Sequence, residues 1–217
     1  MIRTCINEDS CIEDMKLERK NMKRVLFAVM AICLTVPGMA QSLGQQLSDA
    51  VRDGNLQQVQ QLITVGVDVN EKDSELYTAL HYACGCLVQS PNFEIARLLI
   101  ANGADVNAKG FYSNKPYGAT PLHCAVKSLD VYMVKLLLDH GASASLNIKE
   151  DENGVSVLDI MEDESFRHWA AEQGKSAEYS EIKKMLHDAH RKEVKKELRE
   201  ELRRSWDSMI NDPNVWK

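Results

Sequence analysis

The amino-acid sequence predicts an all-α solenoid of about four helix–turn–helix units, followed by a C-terminal helix that caps the stack or protrudes from it. Three observations carry this. VQQLITVGVDVN at 59–70, ARLLIANGADVN at 96–107 and VKLLLDHGASAS at 134–145 align, and their glycines Gly66, Gly103 and Gly141 are spaced 37 and 38 residues apart. A second pattern sits between them: TALHYA at 78–83, TPLHCA at 120–125 and a weaker SVLDIM at 156–161. Self-similarity at a fixed period of this length is the signature of stacked repeats. The composition, 44% hydrophobic in 217 residues, is that of a folded chain.

The N-terminal forty residues read differently. Met1 to Asn21 is polar, mixed in charge and without periodicity, which points to an upstream extension with translation starting at Met22. From Met22 the chain has a basic start (Lys23, Arg24), an uncharged apolar run from Val25 to Val36, a Pro37-Gly38 break and small residues before Gln41. That is the layout of a secretory signal peptide over 22–40, cleaved after Ala40. The apolar run falls short of the ~20 residues a membrane span needs. An exported protein with no stable membrane span after cleavage is therefore expected, periplasmic or secreted, with 41–190 as the repeat domain and 191–217 as a charged helix.

Each repeated piece has a physical reading. Thr78, Thr120 and Ser156 supply N-cap hydroxyls, each opening a short first helix. Pro121 occupies a first helical position, where its missing N–H costs nothing. Leu98-Leu99-Ile100 and Leu136-Leu137-Leu138 close a second helix against the first. Gly66, Gly103 and Gly141 then take the left-handed turn that ends it. One such pair cannot bury its apolar face alone, whereas stacked neighbours can.

With these motifs in place the chain resembles the ankyrin repeat family over about Leu47 to His190. TPLHCA at 120–125 matches the family's helix-opening motif and ANGADVNAKG at 101–110 its link between repeats. The first unit, 47–70, lacks the Thr-Pro-Leu-His opening, as suits a capping repeat. Unit two, 71–107, is stretched around Leu87 to Pro91, and unit three follows a long loop. Unit four begins near Asn147 and departs most: Asp159 replaces the histidine and 162–178 interrupts the helix pair. Glu181-Ile182 through Met185-Leu186 still matches the second-helix pattern. The resemblance implies that His81 and His123 are structural, tying neighbouring units by hydrogen bonds to backbone.

Beyond 190, Val194, Leu198, Leu202, Trp206 and Ile210 recur at four-residue steps, a narrow apolar stripe on one helical face. Glu200 and Arg204 can pair one turn apart. The stripe either packs back as a cap, the preferred reading because a repeat array must cover its last apolar face, or serves as a binding arm.

The acidic balance, 26 Lys+Arg against 32 Asp+Glu for a charge of −6, argues against a nucleic-acid binder. No phosphate loop, no G-x-S-x-G elbow and no carboxylate pair spaced for acid–base work is present, so no enzyme activity, catalytic residue or cofactor is expected. His81-x-x-Cys84-x-Cys86 is a weak metal pattern, outweighed by the structural role of the histidine, and no metal site is expected. Cys84-Gly85-Cys86 is the competing possibility, a thiol pair in a periplasmic redox protein. After signal cleavage Cys84, Cys86 and Cys124 remain, an odd number that leaves at least one thiol free or paired between chains.

The resemblance implies instead a protein–protein interaction module, a monomer, whose unknown protein partner docks on the concave side. Carried to this sequence, that face includes Ser74, Glu75, Tyr77 and Cys86 of unit two and Lys127 of unit three. It also includes the loop KGFYSNKPYGA at 109–119, with Phe111, Tyr112, Lys115 and Tyr117. Aromatic residues in a long polar loop suit an interface. An inhibitor of an exported enzyme and an envelope scaffold both fit.

Overall fold

The computed structural model describes residues 42–87, 91–112, 115–145 and 156–211, with the side chains of 111, 112 and 115–118 outside that description. The upstream extension and the signal segment, 1–40, therefore lie outside the described residues. The elements run α1 (Leu43–Arg52), α2 (Leu56–Val65), α3 (Ala79–Ala83), α4 (Phe93–Ala101), β1 (Gly110–Tyr112), β2 (Lys115–Ala119), α5 (Pro121–Lys127), α6 (Val131–Asp139), α7 (Val157–Glu162), α8 (Glu164–Glu172) and α9 (Ser176–Ile210).

The helices stack in two rows. Each first helix packs on its own second helix and on the first helix of the next unit, so α1, α3, α5 and α7 form the inner row. The outer row is α2, α4, α6 and the start of α9. One continuous core runs between the rows, from Leu47 and Val59 through Leu80, Leu99, Leu122 and Leu137 to Met161, Ile182 and Leu186. The architecture is the all-α solenoid that the repeats predict.

Local chemistry sets the ends of the helices. Asn55, Asn92 and Asp130 cap the second helices, each accepting a backbone N–H from within the first turn. Gly66, Gly103 and Gly141 have φ of 92°, 86° and 87°, with open space where a side chain would go. Conformation alone, not crowding, requires glycine there. In each case the next residue donates back to the helix, as Ala104 N–H does to Leu99 O at 3.0 Å.

Unit four solves its irregularity in a way the sequence pattern foreshadows. The helix α8 occupies the interrupting segment, and Tyr179, Ile182 and Leu186 on α9 are buried against the stack. Asp159, in place of histidine, still closes the cap: its Oδ2 accepts from both Ser156 N–H and Ser156 Oγ–H at 2.7 Å.

The tail corrects one expectation. α9 is a single helix of 35 residues that runs straight through the boundary placed at 190. Its N-terminal part caps the solenoid, whereas Val194, Leu198, Leu202, Trp206 and Ile210 are exposed and are not part of the buried core. Capping is complete before the stripe begins, because Tyr179, Ile182 and Leu186 already cover the last apolar face. Arg204 also departs from the expected pairing: its Nε donates to the backbone carbonyl of Glu200 at 3.4 Å, not to the carboxylate. Among the described residues, no helix is long and apolar enough to cross a membrane.

Candidate protein-binding surface

The two links between units carry the surface. The first, 67–78, joins α2 to α3. Asp73 organises it: its Oδ1 accepts from Glu75 N–H at 2.9 Å and Tyr77 N–H at 3.0 Å, and its backbone accepts from Leu76 N–H at 3.0 Å. This is a side-chain-braced turn of the kind aspartate favours. The other carboxylate oxygen, Oδ2, receives the Tyr82 hydroxyl and lies 3.8 Å from the Arg52 guanidinium, which sits 4.4 Å over the Tyr82 ring. Burial pushes the Tyr82 phenol up, so it remains a donor. The tip is thus anchored to units one and two, and Lys72 Nζ ties it to Lys109 O at 2.9 Å.

At that tip Glu75 is exposed, as expected, and Leu76 is held with φ 58° and 41% exposed. A left-handed backbone at a non-glycine residue costs about 1 kcal/mol, and here it presents an apolar side chain to water. No sequence signal marks Leu76; its significance comes from the turn that Asp73 builds.

Tyr77 requires a correction. It is buried, with its ring 5.3 Å from His81 and 5.7 Å from Tyr82. Gly110 lies directly on it: a Cβ there would stand 2.6 Å from Tyr77 Cδ1 and 3.1 Å from His81 Nε2. Tyr77 is therefore the platform of the next link and not part of the exposed face.

The second link, expected as a loop, is a β-hairpin in its central part. β1 and β2 pair antiparallel, Gly110 with Ala119 and Tyr112 with Lys115, with an irregularity between. The backbone places Phe111 and Tyr112 on one strand and Lys115 and Tyr117 on the other, while their side chains lie outside the described residues. The base of the hairpin is fixed through Ala119 and Gly110. Lys127 is exposed at the end of α5.

The histidines do what the resemblance implies, most completely at His81. Thr78 N–H donates to His81 Nδ1 at 3.1 Å, so the ring proton sits on Nε2, which donates 2.9 Å to Ala119 O in the next unit. Burial holds the imidazole neutral, with its pKa down to about 4. His123 repeats the cap: Nδ1 accepts from Thr120 N–H at 3.2 Å and lies 2.8 Å from the Thr120 hydroxyl. Two asparagines that the repeat alignment displays without explaining add a second ladder. Asn70 donates to Gly103 O and accepts from Asp105 N–H, and Asn107 does the same with Gly141 O and Ser143 N–H.

The cysteines overturn the Cys84–Cys86 pairing. Cys86 is bonded to Cys124 of the next unit, with their Cα atoms 5.2 Å apart, inside the range a disulfide spans. Cys84 is the free thiol, fully buried, and that burial pushes its pKa up, away from the reactive thiolate. The His81, Cys84, Cys86 ligand pattern dissolves with it, since His81 is engaged at both nitrogens and Cys86 is bonded.

Comparison with known proteins agrees with this geometry. The family model for ankyrin repeats, in three copies, matches residues 47–150. An ankyrin repeat-containing protein of Treponema pallidum is 41% identical over 51% of this chain and 34% of its own length. The RelA-associated inhibitor of Mus musculus is 40% identical over 45% of this chain and 11% of its own. The palmitoyltransferase Hip14 of Drosophila melanogaster is 32% identical over 58% of this chain and 18% of its own. The chain thus spans about a third or less of the length of these relatives.

Proposed function

We propose that this chain, whose residues 47–150 are ankyrin repeats, is an exported protein-binding module that holds a protein partner with its two links, the braced tip at 73–77 and the hairpin at 110–119. Ankyrin repeats are protein–protein interaction modules, and that much holds for this segment. The observation that carries the finer reading is Leu76. A strained, exposed apolar side chain beside exposed Glu75, on a turn anchored by Asp73, Tyr82 and Arg52, is a preorganised contact. Preorganisation lowers the ordering cost of binding.

Two further observations support the reading. A repeat segment shared by a protein named an inhibitor and one named a palmitoyltransferase fits binding better than any one chemistry. Export is supported by the Cys86–Cys124 bond, since disulfides persist in oxidising compartments and are rare in reducing ones.

The test is affinity capture from the envelope fraction of the source cell, with wild type beside a Tyr112→Ala/Tyr117→Ala double variant. A partner held by wild type is expected to bind the variant roughly 10-fold or more weakly, as loss of aromatic anchors does. Equal retention by both would remove the hairpin from the interface.

A further inference from the structure

We propose that the Asn102–Gly103 step is a latent modification site: the fold shields it, and unfolding opens it to deamidation that then spoils the end of α4 irreversibly. Asparagine followed by glycine is the pair most open to this reaction, because no Cβ on the second residue hinders the approach of its backbone nitrogen. Of the three aligned helix ends this one alone carries it, since Val65 and His140 precede Gly66 and Gly141. Both halves of the pair have a structural origin. Gly103 serves a backbone φ of 86°, which favours glycine at the end of a helix. Asn102 serves as a donor: its Nδ2 donates to Leu98 O at 2.8 Å, a carbonyl of the last turn that the helix itself leaves unpaired. His140 does the same in the next unit, donating from Nδ1 to Leu136 O at 2.9 Å.

The chemistry is intramolecular. Gly103 N loses its proton and bonds to Asn102 Cγ, the Cγ–Nδ2 bond breaks, and the side-chain nitrogen leaves as ammonia. Water then opens the cyclic imide at either carbonyl, giving aspartate or isoaspartate at 102. The native geometry forbids the first bond. Ring closure needs Gly103 N nearly eclipsed with Asn102 Cβ about the Cα–C bond. Asn102 has ψ 20°, which turns that nitrogen nearly opposite to Cβ.

Rotating it back breaks the bond from Gly103 N–H to Ile100 O at 3.0 Å. It also pulls the turn off Asn70, which donates to Gly103 O at 3.0 Å and accepts from Asp105 N–H at 2.7 Å. Asn102 is exposed to water all the same. The shield is therefore conformation and not burial, and reaction waits on local opening of the helix end. Once formed, the product does not fit. Aspartate sets a carboxylate against the Leu98 carbonyl, acceptor facing acceptor, at the negative end of the helix dipole. Isoaspartate routes the backbone through the side chain and adds a methylene before Gly103, which moves the glycine out of its turn and off Asn70. This inference stands independently of the partner-binding face.

Peptide mass spectrometry of the purified protein, aged at mildly alkaline pH either native or unfolded in guanidinium chloride, tests it. The Asn153–Gly154 step of the same chain is the chemical reference in the unfolded sample. Asn102 is expected to convert as fast as Asn153 when unfolded, and roughly 10-fold or more slowly when native than when unfolded. Equal rates at Asn102 in the native and unfolded samples overturn the proposal. Asn102→Asp measures the cost of the product and is expected to lower the melting temperature by about 2–4 °C. An unchanged melting temperature would contradict the claim that the product spoils the cap. Asn102→His borrows the donor of the next unit and has no side-chain amide to lose. It is expected to melt as wild type does and, after ageing unfolded, to refold more completely than wild type aged in the same way. Aged wild type that refolds as completely as aged Asn102→His also overturns the proposal.

Discussion

Reduction of the Cys86–Cys124 bond is expected to lower the melting temperature by roughly 10 °C. The two cysteines are 38 residues apart and join unit two to unit three. Releasing a closed loop of that length frees about 4 kcal/mol of denatured-state entropy in the chain-entropy model. A domain of this size shifts by about 2–4 °C per kcal/mol. Cys124→Ser is expected to show the same loss, after which reductant has no further effect. Thermal unfolding with and without reductant measures it, and peptide mapping without reduction is expected to yield the Cys86–Cys124 crosslink with Cys84 unlinked. Identical melting of oxidised and reduced wild type would mean that the bond does not form.

His81→Ala is expected to cost about 3–5 kcal/mol. It strips the acceptor from Thr78 N–H and the donor from Ala119 O, both inside the core, and leaves a void where a fully buried ring stood. The same ring makes stability pH-dependent. Its pKa is about 4 in the fold and near 6.5 unfolded, so between those values the unfolded chain binds the proton and the folded chain does not. Stability is therefore unaffected by this group above pH ~6.5 and declines as the pH falls from there to ~4, by roughly 3 kcal/mol in all. Denaturant titrations of wild type and His81→Gln across that range are expected to differ in this slope. Parallel pH profiles would show that His81 is not the neutral bridge described.

Much of this was legible in the sequence because repeat chemistry is local. Gly66, Gly103 and Gly141 mark helix ends through a backbone need that no context alters. The cap hydroxyls of Thr78, Thr120 and Ser156 likewise act within one turn. Even the disturbed fourth unit showed through, since Ile182 and Leu186 keep the second-helix spacing. Asp159 explains itself afterwards: it makes the bonds within the cap, whereas His81 uses its second nitrogen to reach the next unit.

What escaped depends on contacts between units. Cys86 and Cys124 sit 38 residues apart while their repeats, counted from Thr78 to Thr120, are offset by 42. They differ by one helical turn in register, a signal hidden beside the more conspicuous Cys84-Gly85-Cys86. Tyr77 was misplaced because its neighbour is the backbone of Gly110, which no side-chain pattern reveals. The hairpin was masked by a glycine- and proline-bearing composition that also fits an irregular loop. Asn70 and Asn107 were visible in every alignment of the repeats, but their partners lie one unit away. The apolar row on α9 was read correctly as a row, and misjudged as a cap because α9 had already covered the stack by Leu186.

Leu76→Gly measures the claim that the braced tip is a contact surface most directly, because stability and binding should move in opposite directions. Glycine relieves the left-handed backbone, so the melting temperature is expected to hold or to rise slightly, by up to about 1 kcal/mol of stability. The captured partner is expected to bind roughly 10-fold or more weakly in a direct titration, because the exposed side chain is gone. Unchanged affinity in a variant that is as stable as wild type would contradict the account, since the strained leucine would then serve neither the fold nor the partner.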